Sequence, residues 1–216
     1  RLLYRDAKEW AVGHTCAATW NNDAQATEVS TTWIPRHIVP AMNPNGHDEF
    51  RVESKQVAGS DLICFDADEL SNASPDELVK MLRVIPRVYG RWLESEGKRA
   101  GPNGELDQAS AVQAQEHLES GRLAENRIKN GIELLANDAD ARRAFQLAQK
   151  AMAVQRRWGE GDDTARLTWR PFQLGFQLLT LDGIANPTDS GGDVSDDRKL
   201  MDLLWFPTGG GKTEAY

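Results

Sequence analysis

The pattern of apolar and polar positions changes character three times along the chain. Over 1–70, short apolar, β-branched runs such as "TTWI" and "DLICF" lie between polar, Gly and Pro residues, which predicts strands. "PAMNPNGHDEF" carries two prolines and an Asn-Gly pair and predicts a turn or loop. From Ser74 the period becomes helical: Leu78, Leu82, Ile85, Tyr89 and Trp92 follow at spacings of four, three, four and three. Ser74 suits the N-cap, Pro75 the first turn and Glu77 the far side of a capping box. Pro86 interrupts this face and should kink or split the helix.

"KRAGPNG", at 98–104, reads as a linker. A second helix is predicted over about 106–136, with Ala124, Ile128, Ile132 and Leu135 inward. Gly121 and Gly131 weaken it and leave open a division into two. A third is predicted over 138–158, with Ala141, Phe145, Ala148 and Met152 inward. "TWRPFQLGFQLLTL" reads as a short helix. "DGIANPTDSGGDVSDDRK" reads as a loop, polar enough to be disordered. "LMDLLWF" has the unbroken apolar character of a central parallel strand.

Composition narrows the class. The hydrophobic fraction of 40% and charged fraction of 27% fit a globular chain with its own core. No apolar run approaches the ~18 residues of a membrane span. Cys16 and Cys64 form no CxxC pair, which suits a reducing, cytoplasmic setting. The net charge of -8 argues against bulk polyanion binding, although local basic stripes can still meet DNA. Two such stripes exist. Arg83, Arg87 and Arg91 recur every four residues, and Arg142, Arg143, Lys150, Arg156 and Arg157 form a second cluster. Each reads either as a phosphate contact or, more ordinarily, as a solvated face. "GHTC" would need further ligands to hold zinc and reads better as a packed turn.

The sharpest chemistry lies at the end of the sequence. In "FPTGGGKT", Gly209, Gly210 and Gly211 supply a turn whose N–H groups can wrap phosphates, next to a helix start. Lys212 supplies the cation for the β- and γ-phosphates, and Thr213 the hydroxyl for Mg²⁺. The strict G-x-x-x-x-G-K-[ST] pattern fails at Phe206, but x-x-T-G-x-G-K-T fits. The bland alternative is a Gly-rich turn that binds nothing, a wasteful use of three glycines. Upstream, "WRPFQLGF" places Gln173 in an R-P-x-Q setting. A side-chain amide pairs donor for acceptor with the adenine edge, with Arg170 and Trp169 as neighbours of the base. Read alone, Gln173 is an exposed position on an amphipathic helix; beside a phosphate loop, it is an adenine contact.

These residues resemble motif I and the upstream Gln of superfamily 2 helicases. Together with "AVGHTCAATW", "WIPRHIVP", "RIKNGIELL", "AFQLAQKAMAVQ" and "DLLWFPTGGGKTEAY", the chain resembles the large helicase subunit of the bacterial DISARM anti-phage system. The resemblance covers most of the sequence and is most specific in its final 50 residues. It implies a superfamily 2 ATPase with two RecA-like lobes, using ATP and Mg²⁺, acting on phage DNA and joined by a second DISARM subunit. The implied nucleotide contacts are Arg170, Gln173, Thr208, Gly209, Gly210, Gly211, Lys212, Thr213 and Glu214, with Lys212 and Thr213 catalytic and Thr213 on the metal.

The resulting fold expectation is α/β with a large helical block. Residues 1–70 form an incomplete mixed α/β element, 71–158 the helical block, and 159–216 the start of a first RecA-like lobe. A chain that starts at Arg1 and stops three residues after Lys212-Thr213 reads as an excerpt, so the piece alone is expected to be inactive. Two functions compete: ATP-driven movement on nucleic acid, and an ATP-gated scaffold that binds a partner without translocating. A GTPase would need an Asn-Lys-x-Asp element that this sequence lacks.

Overall fold

The computed structural model describes residues 8–22, 24–32, 48–101, 106–188, 196–203 and 213. These residues are mostly helical. A two-stranded hairpin, β1 (Ala17–Trp20) and β2 (Val29–Thr32), precedes seven α-helices. The strands pair antiparallel, with Ala17 opposite Thr32 and Trp20 opposite Val29. The Asn21 side chain closes their connection, accepting from the Thr27 N–H and donating to the Thr27 hydroxyl.

The described part of 1–70 holds both strands and helices, but one of the expected strands needs correction. The strand expected at "TTWI" is present as far as Thr32, and Trp33 and Ile34 lie outside the described residues. "DLICF" is not a strand: Leu62 turns the chain at φ 60°, and Ile63–Phe65 form one turn of 3-10 helix. Helices α1 (Glu49–Ala58) and α2 (Ala67–Asn72) flank it. The expected loop at 40–50 falls mostly outside the described residues, but Glu49 and Phe50 already belong to α1.

Helix α3 (Pro75–Leu82) begins as its sequence demands. The Ser74 N–H and hydroxyl both donate to the Glu77 carboxylate, at 3.0 and 2.5 Å. The chain splits at Arg83, and α4 (Val84–Arg99) starts there, so Pro86 falls in its first turn. A first-turn N–H has no intrahelical partner, so the proline's missing donor costs nothing at that position. Leu78, Leu82 and Ile85 are buried as the period requires. Trp92 is not: it stacks on Tyr89 at 5.7 Å on the surface, and Leu93 takes the inward position.

Helix α5 (Gln108–Asn137) runs unbroken and is packed by α3, α4, α6 and α7. Its two glycines are contact points, not breaks. A Cβ at Gly121 would meet the Leu93 side chain at 2.6 Å, and one at Gly131 would lie 2.1 Å from the Leu178 carbonyl oxygen. Helix α6 (Ala139–Glu160) is capped by Asp138, whose carboxylate accepts from the Asp140 and Ala141 N–H groups. Phe145 points inward as expected, but Ala148 is exposed and Gln149 is buried in its place. Helix α7 (Pro171–Ala185) extends four residues into the stretch read as a loop. Phe65, Leu70, Leu78, Leu82, Ile132, Leu135, Leu174 and Leu178 are fully buried where these helices meet. Each such side chain contributes about 1.5–3 kcal/mol of apolar burial.

The first basic stripe lies between helices. Arg87 donates to Glu53 at 2.5 Å, Arg91 to Glu53 at 3.0 Å and Glu49 at 3.2 Å, and Arg83 to Glu133 at 2.8 Å. Its charge is therefore met by carboxylates of α1 and α5. The Arg87 hydrogen bond holds the buried Glu53 carboxyl below its ordinary value, against an opposing contribution from burial. A depressed folded pKa contributes stability above the unfolded value of about 4.5, lost as pH falls through the folded value. The melting temperature of Glu53→Gln should therefore respond less to acidification below about pH 4.5 than that of the wild type. Equal acid slopes for the two proteins would contradict this.

Candidate functional site

The turn carrying Arg170 and Gln173 is held from both sides. Backbone bonds clasp it to the start of α2: the Ala67 N–H donates to Leu167 O at 2.9 Å, and the Trp169 N–H to Phe65 O at 2.8 Å. Arg166 bonds Asp66 and Glu69, each at 2.8 Å. The indole of Trp169 is buried and donates to Gln149 Oε1 at 2.5 Å; Gln149 in turn donates to Gln177 Oε1 at 3.0 Å. A buried indole N–H needs such a partner, which explains why α6 turns Gln149 rather than Ala148 inward. Trp169 is thus a core residue of this turn.

Arg170 is extended, as a residue before proline should be, and Pro171 opens α7. Gln173 is buried, and its Oε1 accepts the Arg170 N–H at 2.8 Å. The amide offered to adenine by the sequence reading thus serves here as a helix cap, with its oxygen turned to the backbone.

The other half of the candidate site follows 196–203. Asp196–Lys199 form a short 3-10 helix. Leu200, Met201 and Leu203, read as the start of a buried strand, form no strand and are exposed. A central parallel strand needs strands hydrogen-bonded along its edges and helices over its faces, and no strand lies beside it among the described residues. What holds this segment is Arg127 of α5. Its guanidinium, almost fully buried, bonds Asp197 through Nε and Nη2 and grips Asp202 at 2.5 and 2.8 Å. The Asp202 and Asp197 bonds drive the Arg127 pKa further up, against burial, so the cation is permanent.

Of the nucleotide contacts read from the sequence, the structure describes Arg170, Gln173 and Thr213. It joins the first two in one cap and leaves Thr213 exposed. Thr208, Gly209, Gly210, Gly211, Lys212 and Glu214 lie outside the described residues. The second basic cluster is divided among structural duties. Arg142 donates to the Leu135 and Ala136 carbonyls, closing α5; Arg156 pairs with Glu160 and Arg157 with Asp68; Arg143 and Lys150 are exposed. The Arg127 clamp escaped sequence reading. Its signal was a charged residue beside Ile128 on the inward face of a predicted helix. Among the described residues, no helix is long and apolar enough to cross a membrane, and no group of three or more His, Cys, Asp or Glu residues is placed to hold a metal ion.

The described residues thus define a helical bundle, and the Gly-rich "FPTGGGKT" follows it in sequence. The chain is similar throughout to DISARM protein DrmA of Bacillus paralicheniformis, 32% identical over 232 aligned positions covering all of this chain and 19% of that protein. The chain spans about a fifth of the length of that curated relative. No protein-family model matches the chain.

Proposed function

We propose that this chain is the nucleotide-binding portion of an ATP-dependent superfamily 2 DNA helicase or translocase acting in anti-phage defence. The observation that carries the reading is the similarity of all of this chain to a fifth of a DISARM protein, in a sequence that contains "FPTGGGKT". The donor set suits ATP with Mg²⁺. Consecutive glycines give closely spaced N–H donors for phosphate oxygens, Lys212 a point charge, and Thr213 a hard oxygen ligand. Bound Mg²⁺ would supply charge neutralisation across the phosphates. Lys212 would stabilise charge developing on the transferred group, so catalysis is mainly positioning and electrostatics. Gln173, with Arg170, would face the base, which requires its oxygen to leave the Arg170 N–H or its nitrogen to do the reading. The start of a RecA-like lobe at 159–216, a cytoplasmic setting, DNA and a second DISARM subunit as partners belong to the same proposal.

One observation favours the scaffold reading. Glu49, Glu53 and Glu133 occupy the arginine stripe that was a candidate for DNA phosphates. ATP turnover by the intact protein, with and without DNA, separates the two. A motor is stimulated by DNA, and a scaffold is not.

A further inference from the structure

We infer that the outer face of α6 docks a partner protein, which presents an amphipathic helix with an acidic edge. The inference stands apart from the nucleotide reading.

Helix α6 packs its inner side on α2 and α5 and buries Phe145, Gln149 and Ala153. Its other side is not the polar face that a surface helix usually shows. Ala144, Leu147, Ala151, Val154 and Trp158 follow at spacings of three, four, three and four. On a helix these positions form one stripe, the a and d positions of a coiled-coil seam. Leu147 is 54% exposed and Trp158 78%. Ala144 and Ala151 are exposed as well, and Val154 is half-buried. At 1.5 Å per residue the stripe runs about 21 Å. A lone exposed apolar side chain needs no explanation, but an ordered row of them does.

The charge along one edge points to the occupant. Arg143, Lys150 and Arg157 recur every seven residues, each just before an a position, which is the g row. Arg157 is turned to Asp68. Arg143 and Lys150 are exposed, and neither has an ion-pair partner among the described residues. Cations in this row select carboxylates on the facing helix. A second copy of α6 does not supply them. In a parallel pair Arg143 and Lys150 would face Ala148 and Gln155, and in an antiparallel pair they would face each other. A nucleic-acid backbone would meet the two cations but gain nothing from Leu147 and Val154. A helix with an apolar seam and Asp or Glu along one edge satisfies both features. The seam is only two heptads long, so the docking is weak and reversible.

The test is fluorescence anisotropy of two labelled synthetic helices titrated with the intact protein. Both carry leucine at a and d; one has glutamate at e and g, the other lysine. We expect the glutamate probe to bind with a Kd on the order of micromolar and the lysine probe to bind about tenfold more weakly or worse. Leu147→Glu and Trp158→Ala should each weaken the glutamate probe about tenfold. Both should melt near wild type, because these side chains are exposed in the free protein. The double variant Arg143→Glu/Lys150→Glu should reverse the preference between the probes, which a merely structural role would not do. Equal binding of the two probes, no binding of the glutamate probe, or unchanged affinity in Leu147→Glu would overturn the proposal. So would a dimer of the protein that Leu147→Glu dissolves, which would assign the face to a second copy. Binding of a single-stranded oligonucleotide that the double variant loses, with the glutamate probe unbound, would assign it to nucleic acid and overturn the proposal too.

Discussion

Lys212→Ala in the intact protein is expected to abolish ATP turnover, a loss of about a hundredfold to a thousandfold. In phosphoryl transfer the protein does little covalent work, and charge spreads over the oxygens of the transferred group. A preorganised cation at those oxygens acts where charge develops, and removing one such electrostatic contact typically costs a hundredfold to a thousandfold. Neighbouring glycine N–H groups would still hold phosphates, so binding should weaken less than turnover falls. Measured kcat and KM for ATP, with folding checked by circular dichroism, decide it. Wild-type-like turnover would remove the phosphate loop from the account.

Gly131→Ala is expected to destabilise the bundle by about 2 kcal/mol. The added Cβ would lie 2.1 Å from the Leu178 carbonyl oxygen and 3.0 Å from its carbon, both backbone atoms of α7. No side chain can swing away, so the two helices must separate. Overpacking costs about 1–3 kcal/mol, with this site at the high end. Alanine returns about 1 kcal/mol through helix propensity. Gly121→Ala is the contrast, because its Cβ would meet the end of the Leu93 side chain, which can shift. Its cost should stay within about 1 kcal/mol of zero. Denaturant unfolding of the two variants measures the difference, and equal midpoints would refute the backbone contact.

What was legible in the sequence was local. Ser74, Pro75 and Glu77 announce α3 because a cap is built from residues three apart. The "FPTGGGKT" pattern is contiguous in the chain too, and all of it but Thr213 lies outside the described residues. Helix α1 was missed because its buried positions are Glu53 and Ser54, which leave no apolar period to read. "DLICF" is ambiguous in sequence because four apolar residues in a row fit a strand or a buried turn equally well; the turn at Leu62 decides it. The glycines of α5 look like weak points until α4 and α7 are brought against them. Gln149 is inward for the sake of Trp169, 20 residues away, and Arg127 for carboxylates 70 and 75 residues away. Pairings at that range leave no trace in local periodicity. They also tie the helical block to the Arg170–Gln173 turn and to segment 196–203.

The most direct test of the central claim is ATP hydrolysis by the intact protein as DNA is titrated in, repeated across salt concentrations. A motor gives a rate that rises with DNA and a stimulation that weakens as salt rises, as phosphate contacts require. A rate indifferent to DNA at every salt concentration would contradict a motor and leave an ATP-gated scaffold.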